Sequence, residues 1–258
     1  MTNEWLLFLQ RELIVFFFVF LRCLLLFFLF PLFAGNFFPN KLKILISLVL
    51  ALSLTPFLSG KVRVPNDLVA LIPIFFSDFL LFFLISLFFR FLIAGLQLGG
   101  ELVGLQMGFG ISQTFDPSSG VSMPILAQFL YLVFILFFLS LDLHHHLLFF
   151  LVRSFSELPP GALVKESKIF SYLLKKSGLI FDIAVKVLAP LMVFMLLVNI
   201  VLAIIGRLLP QINILFVSFP LTLGLGLFFF GLVLFLLPRI FTTNLNQFSQ
   251  FLQVLLRF

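Results

Sequence analysis

Six stretches of the chain are apolar with hardly a polar interruption: residues 13–33, 42–58, 68–94, 123–151, 179–206 and 212–238. A bilayer core about 30 Å thick is crossed by about 20 helical residues, so each stretch predicts a membrane-spanning helix. The second is short, and the third and fourth are long enough to tilt or to extend past the bilayer. The expected fold is all-α and polytopic, a single integral membrane domain over residues 1–258 with about six long apolar helices.

If all six cross, one side carries Arg11, Lys61, Arg63, Arg153, Lys165, Lys168, Lys175, Lys176, Arg239 and Arg257, and the other only Lys41, Lys43 and Arg207. The positive-inside rule then places both termini in the cytoplasm. Residues 153–178 form the one substantial polar connection, with a Pro159-Pro160-Gly161 turn followed by lysines, too small to be a domain. Residues 239–258 carry Phe241, Leu245, Phe248, Leu252 and Leu255 at helical spacing, with polar residues between them. That stripe predicts an amphipathic tail suited to a membrane surface or to a partner helix.

One stretch breaks the apolar pattern. Residues 99–124 read GGELVGLQMGFGISQTFDPSSGVSMP, with six glycines, Glu101, Gln106, Gln113 and an Asp116-Pro117 step. Each interior glycine costs a helix up to about 1 kcal/mol, and a residue before proline leaves the helical region. A bent or broken element is therefore expected from Gly99 onward. Non-helical backbone survives at membrane depth only inside protein or beside a watery cavity, which makes this a re-entrant loop facing a passage. Gly104, Gly108 and Gly110 also suit close helix packing, but packing does not account for Gln106, Gln113 and Asp116.

Composition sharpens the class. The 258 residues are 62% hydrophobic and only 10% charged, against roughly 25% charged in soluble domains. The 42 phenylalanines read as lipid-facing filler from a skewed composition. A net charge of +6 fits topology signals and anionic lipid, and without a basic cluster interleaved with aromatics it does not point to nucleic acid. The lone Cys23 cannot form an intrachain disulfide and reads as packing. The opening apolar run is longer than a signal-peptide core and no small-residue cleavage site follows, so the first segment is expected to stay in the mature protein.

Charges within apolar runs are functional candidates, here Arg22, Asp78, Arg90, Asp142, Asp182 and Lys186, with Glu101 at the head of the central stretch. Asp182 and Lys186 stand four apart in the order that favours pairing on one helical face. Arg90 and Glu101 return to one face but about 16 Å apart along the axis, so they cannot pair within a straight helix. Arg22, Asp78 and Arg90 therefore require partners elsewhere in the chain or on other subunits.

Asp142, His145 and His146 would share one helical face, with His144 beside them, which raises metal binding. Zinc sites generally need three or four protein ligands, and the remaining acids show no ligand spacing. The cluster reads as a polar pause between two apolar halves, with no metal assigned. No nucleophile stands at a recognisable spacing from a base, and no phosphate-binding loop is present, so no enzyme and no cofactor are expected.

The block GELVGLQMGFGISQTFDP followed by MPILAQF closely resembles the signature of the FliR family, an export-apparatus component of bacterial flagellar type III secretion. The resemblance continues at Pro31 and Pro39 with Lys41 and Lys43, at SFSELPPG, and at GRLLPQINILFVSFPLTLGLGL, nearly the whole chain. One departure is Asp142-Leu143-His144, where the family usually has Asn-Gly-His, so only the histidine matches.

The resemblance implies one copy of this chain in a helical hetero-oligomer with several FliP-like and FliQ-like subunits, neighboured by FlhB-like and FlhA-like components. The assembly would form an export gate for unfolded flagellar proteins in the bacterial inner membrane, at the flagellar basal body. Residues 1–152 would resemble a FliP-like subunit and residues 179–238 a FliQ-like hairpin. Much of the assembly would be lifted out of the bilayer plane, which would upset the six-crossing topology and make the interior charges inter-subunit contacts.

The family's plug maps onto about Leu105 to Phe115. Met107, Phe109 and Phe115 would be apolar seals, Gly104, Gly108 and Gly110 would permit displacement, and Gln106 and Gln113 would pin the closed state, ahead of the Asp116-Pro117 break. The rival reading is a self-contained ion-coupled carrier using Asp78, Arg90, Glu101 and Asp182. A membrane metalloenzyme on Asp142 and the histidines is a more distant one.

Overall fold

The computed structural model describes residues 2–34, 38–60, 71–109, 124–158, 160, 174, 177–211 and 213–256. Every regular element among them is a helix: α1 (Thr2–Leu29), α2 (Pro31–Ala34), α3 (Asn40–Leu58), α4 (Leu71–Gln106), α5 (Ile125–Ser140), α6 (Leu143–Glu157), α7 (Leu179–Leu208) and α8 (Ile214–Leu256). Five contain segments long and apolar enough to cross a membrane: Arg11–Leu29, Asn40–Leu58, Ile72–Gln106, Leu188–Leu208 and Phe216–Phe235. The broken pair α5 and α6 makes a sixth if it is one span. The chain is an all-α polytopic membrane protein.

The helices sort into two compact units. The first comprises Met1–Arg90, Asp142–Lys176 and Gln247–Phe258, and the second Phe91–Leu141 and Ser177–Asn246. In the first, α1 packs on α3. The inward stripe of α3 is Lys43, Ser47, Ala51, Thr55 and Leu58, mostly small or polar. Ser47 and Thr55 return their hydroxyls to the carbonyls one turn back, at 2.8 and 2.6 Å, so neither brings an unsatisfied polar group to the contact. Small, self-satisfied side chains let membrane helices approach closely.

Phenylalanine builds the core of this unit. Phe30 stacks near Phe89 at 4.5 Å between ring centroids, Phe88 on Phe251 at 4.5 Å, and Phe89 on Phe248 at 5.2 Å. Among the described residues, most of the largest fully buried side chains are phenylalanines. The filler reading fits exposed rings such as Phe57, Phe216 and Phe235 and is corrected for the buried ones, which face other rings where offset or edge contacts add to burial. Cys23 is buried and free, in keeping with packing.

The tail also differs from expectation. α8 runs unbroken through Pro220 and Pro238 to Leu256. Its stripe of Phe241, Leu245, Phe248, Leu252 and Leu255 is buried within the chain itself rather than left for lipid or a partner. The period marked the apolar face correctly, but periodicity does not say what covers a face.

In the second unit, the carboxyl-terminal part of α4 meets α5 and α7 through glycine. A Cβ at Gly100 would lie 2.9 Å from the Ala127 Cα of α5, and one at Gly99 3.1 Å from the Ala184 carbonyl of α7. Those approaches explain why α4 continues helical to Gln106 although a break was expected from Gly99. The propensity cost of glycine is offset where its missing side chain admits a neighbouring backbone.

Candidate functional site

The α4 helix ends on a specific device. Phe109 N–H donates to the Gly104 carbonyl at 3.0 Å and Gly108 N–H to the Leu105 carbonyl at 3.1 Å, with Gly108 at φ 93°. This pair of bonds around a left-handed residue is a Schellman stop, and glycine takes that conformation without a Cβ penalty. Of the plug residues foreseen, Gly104, Gln106, Met107, Gly108 and Phe109 are described, whereas Gly110, Gln113, Phe115, Asp116 and Pro117 lie outside the described residues.

Met107 is fully buried in the second unit. A Cβ on Gly226 of α8 would fall 2.5 Å from Met107 Cγ, so the thioether side chain occupies the notch left by that glycine. The hydroxyl of Thr222, one turn earlier on α8, lies 3.3 Å from the Met107 carbonyl and shares its single proton between that carbonyl and the nearer one of Ser218, at 2.9 Å. Asn199 of α7 donates to the Gln106 carbonyl at 3.4 Å, while the Gln106 side-chain oxygen is shielded and without a partner. Gly104 leaves room, with a Cβ there meeting Leu126 only at 3.7 Å. Sequence reasoning did not single out Thr222, Gly226 or Asn199. Gly224 and Gly226 look alike in the sequence, but among the described residues only a Cβ at Gly226 would meet a neighbour, whereas one at Gly224 would find open space.

The interior charges divide. Arg22 and Asp78 are both almost wholly buried in the first unit and form a bidentate pair, Nε to Oδ2 at 2.9 Å and Nη2 to Oδ1 at 2.8 Å. Arg22 also donates to Ser154 Oγ at 2.8 Å and to the Leu158 carbonyl at 3.0 Å, and its guanidinium lies 4.4 Å from the centre of the Phe155 ring. Fork geometry of this kind satisfies both ions at once.

Arg90, Glu101, Asp182 and Lys186, foreseen as interior charges, are instead exposed on the surface of the chain. A run that is apolar all round carries no mark of which face will turn inward, so position within a run did not give depth. Lys186 and Asp182 do pair as their spacing predicted, at 2.8 Å, on the outside of α7. Among the described residues, Arg90 donates to Ser86 Oγ, at 3.4 Å.

At the break between α5 and α6, Asp142 adopts a left-handed backbone, φ 54°, the one positive φ outside glycine among the described residues. Donor atoms of Asp142, His144 and His145 come within 4.8 Å of one another. Helical spacing had grouped Asp142 with His145 and His146. Because Asp142 stands outside the helix, His144 takes the place expected of His146, whose Nδ1 lies 3.4 Å from the Asp142 backbone carbonyl.

The model for bacterial export proteins, family 1, matches residues 13–248. The flagellar biosynthetic protein FliR of Pectobacterium carotovorum is 33% identical over 223 residues, covering 86% of this chain and 85% of that protein. The FliR protein of Buchnera aphidicola subsp. Schizaphis graminum is 31% identical over 239 residues, 92% of each chain. That of Escherichia coli is 28% identical over 262 residues, 98% of this chain and 94% of its own. With its apolar helices, its glycine-stopped α4 and nearly its whole length inside the match, the chain belongs to the bacterial export proteins, family 1.

Proposed function

We propose that this chain is a non-enzymatic component of the flagellar type III protein-export gate in the bacterial inner membrane, at the basal body. The similarity to proteins named as flagellar biosynthetic FliR along almost the entire chain carries the flagellar part of the reading. The anchored end of the central stretch supports the gating part. Met107 sits in the Gly226 notch with its carbonyl beside the Thr222 hydroxyl, and Gly108 stops the helix there, so the central stretch leaves α4 from a packed end.

In this reading Leu105 to Phe115 forms a plug, and the chain lines part of the channel through which unfolded flagellar subunits pass. The exposed charges Arg90, Glu101, Asp182 and Lys186 are offered to FliP-like and FliQ-like neighbours, with FlhB-like and FlhA-like components nearby. Charges on an apolar surface are costly against lipid and favourable where another subunit supplies a counter-charge. No observation favours the carrier reading over this one.

The test is deletion of Leu105 to Phe115 in the assembled complex. The expected outcome is a membrane leaky to small ions, measured as dye or potassium efflux from cells or reconstituted vesicles. Unchanged permeability in an intact assembly overturns the plug.

A further inference from the structure

We propose that Asp142, His144 and His145 form a binding site for a divalent first-row transition ion of the zinc type, at the start of α6. The observation is a three-donor set drawn from a single turn of backbone, one carboxylate and two imidazoles with donor atoms within 4.8 Å. Metal bonds of about 2.0–2.2 Å at a tetrahedral angle place two donors roughly 3.4 Å apart. Asp142 Oδ1 and His145 Nδ1 stand 3.4 Å apart. The third donor, from His144, lies within 4.8 Å of the other two, and coordination would require its ring to turn away from that of His145, now 4.1 Å off between centroids.

Two further observations support a ligand here. His144 Nδ1 is shielded from solvent and has no hydrogen-bond partner, so no hydrogen bond there holds the ring against turning toward the other two donors. Asp142 holds a left-handed backbone, which a non-glycine residue adopts at a cost and which brings its carboxylate round to the histidines instead of letting it lead straight into the helix. The amino end of a helix opposes a cation weakly, and the Asp142 carboxylate seated there offsets that opposition. Mixed nitrogen and oxygen donors suit zinc, cobalt or nickel better than calcium or magnesium, which prefer oxygen alone. Three protein donors leave one position of a tetrahedron for water.

The experiment uses the full chain purified in mild detergent with a tag free of histidine, titrated with Zn²⁺ against a chromophoric chelator and separately with Co²⁺. The native chain is expected to bind one ion, and Co²⁺ to give visible absorption bands of a low-coordinate site. Asp142→Gly keeps the left-handed backbone while removing the carboxylate; it, His144→Ala and His145→Ala should each weaken binding by more than about tenfold. His146→Ala should leave affinity unchanged. Native affinity in both His144→Ala and His145→Ala overturns the site, and so does an equal loss in His146→Ala, which would reveal a loose histidine run. Matching unfolding temperatures in chelator show that the variants fold.

Discussion

The two units of this protein are fastened by opposite means. At the centre of the first, a buried arginine makes directional bonds to a carboxylate, a hydroxyl and a carbonyl. In the second, the closest approaches depend on side chains that are absent, at Gly99, Gly100 and Gly226. An ion-pair hub fixes which atoms meet, and fails badly if one member is lost. A glycine notch fixes how near two backbones come, and fails in proportion to the volume inserted.

The largest expected effect comes from breaking the hub on one side. Arg22→Ala leaves Asp78 buried and unpaired, and should lower stability by about 3–5 kcal/mol in detergent, read by circular dichroism melting. Arg22→Met with Asp78→Leu removes both charges and should recover most of that loss, because an apolar pair of similar volume has no desolvation penalty. A double variant no better than the single one would mean that the Ser154 and Leu158 bonds carry the hub.

A smaller loss is expected from filling the notch in the second unit. Gly100→Ala drives a Cβ against the backbone of Ala127, and overpacking of this kind costs about 1–3 kcal/mol. The smallest effect has the opposite sign. Gly104→Ala, where the added carbon finds ordinary contact, should stabilise α4 by up to about 1 kcal/mol. If that variant is more stable yet exports less flagellin in a secretion assay, Gly104 serves movement. If export is undisturbed, its place among the plug glycines is empty.

The helices were legible in the sequence because about 20 apolar residues in a row is a local property, and five or six such segments reappear as helices. The tail stripe was legible for the same reason. What was not legible depends on distant residues. Arg22 meets Asp78 across 56 positions and Ser154 across 132, and nothing near Arg22 names either partner. The persistence of α4 through Gly99 and Gly100 is likewise decided by Ala184 and Ala127, which propensity does not consult. At the candidate site, the run of glycines marked the end of α4 only to within several residues. The stop at Gly108 emerges from a hydrogen-bond pattern, and Thr222 and Gly226 emerge from packing against Met107. The histidine cluster was visible, but its true grouping was not, because the left-handed turn at Asp142 breaks the helical count.

The unbroken length of α8 sets a limit on how this protein can be wetted. Its 43 residues have a contour of about 65 Å at 1.5 Å per residue, roughly twice the thickness of bilayer hydrocarbon. Laid straight within that layer, the helix would need a tilt above about 60°, outside the range of about 0–40° that spanning helices adopt. About half of α8 must therefore be bathed by headgroups, water or other polypeptide rather than by acyl chains. A cysteine-accessibility ladder along its outward face, probed with a membrane-impermeant thiol reagent, would find the waterline partway along a single helix.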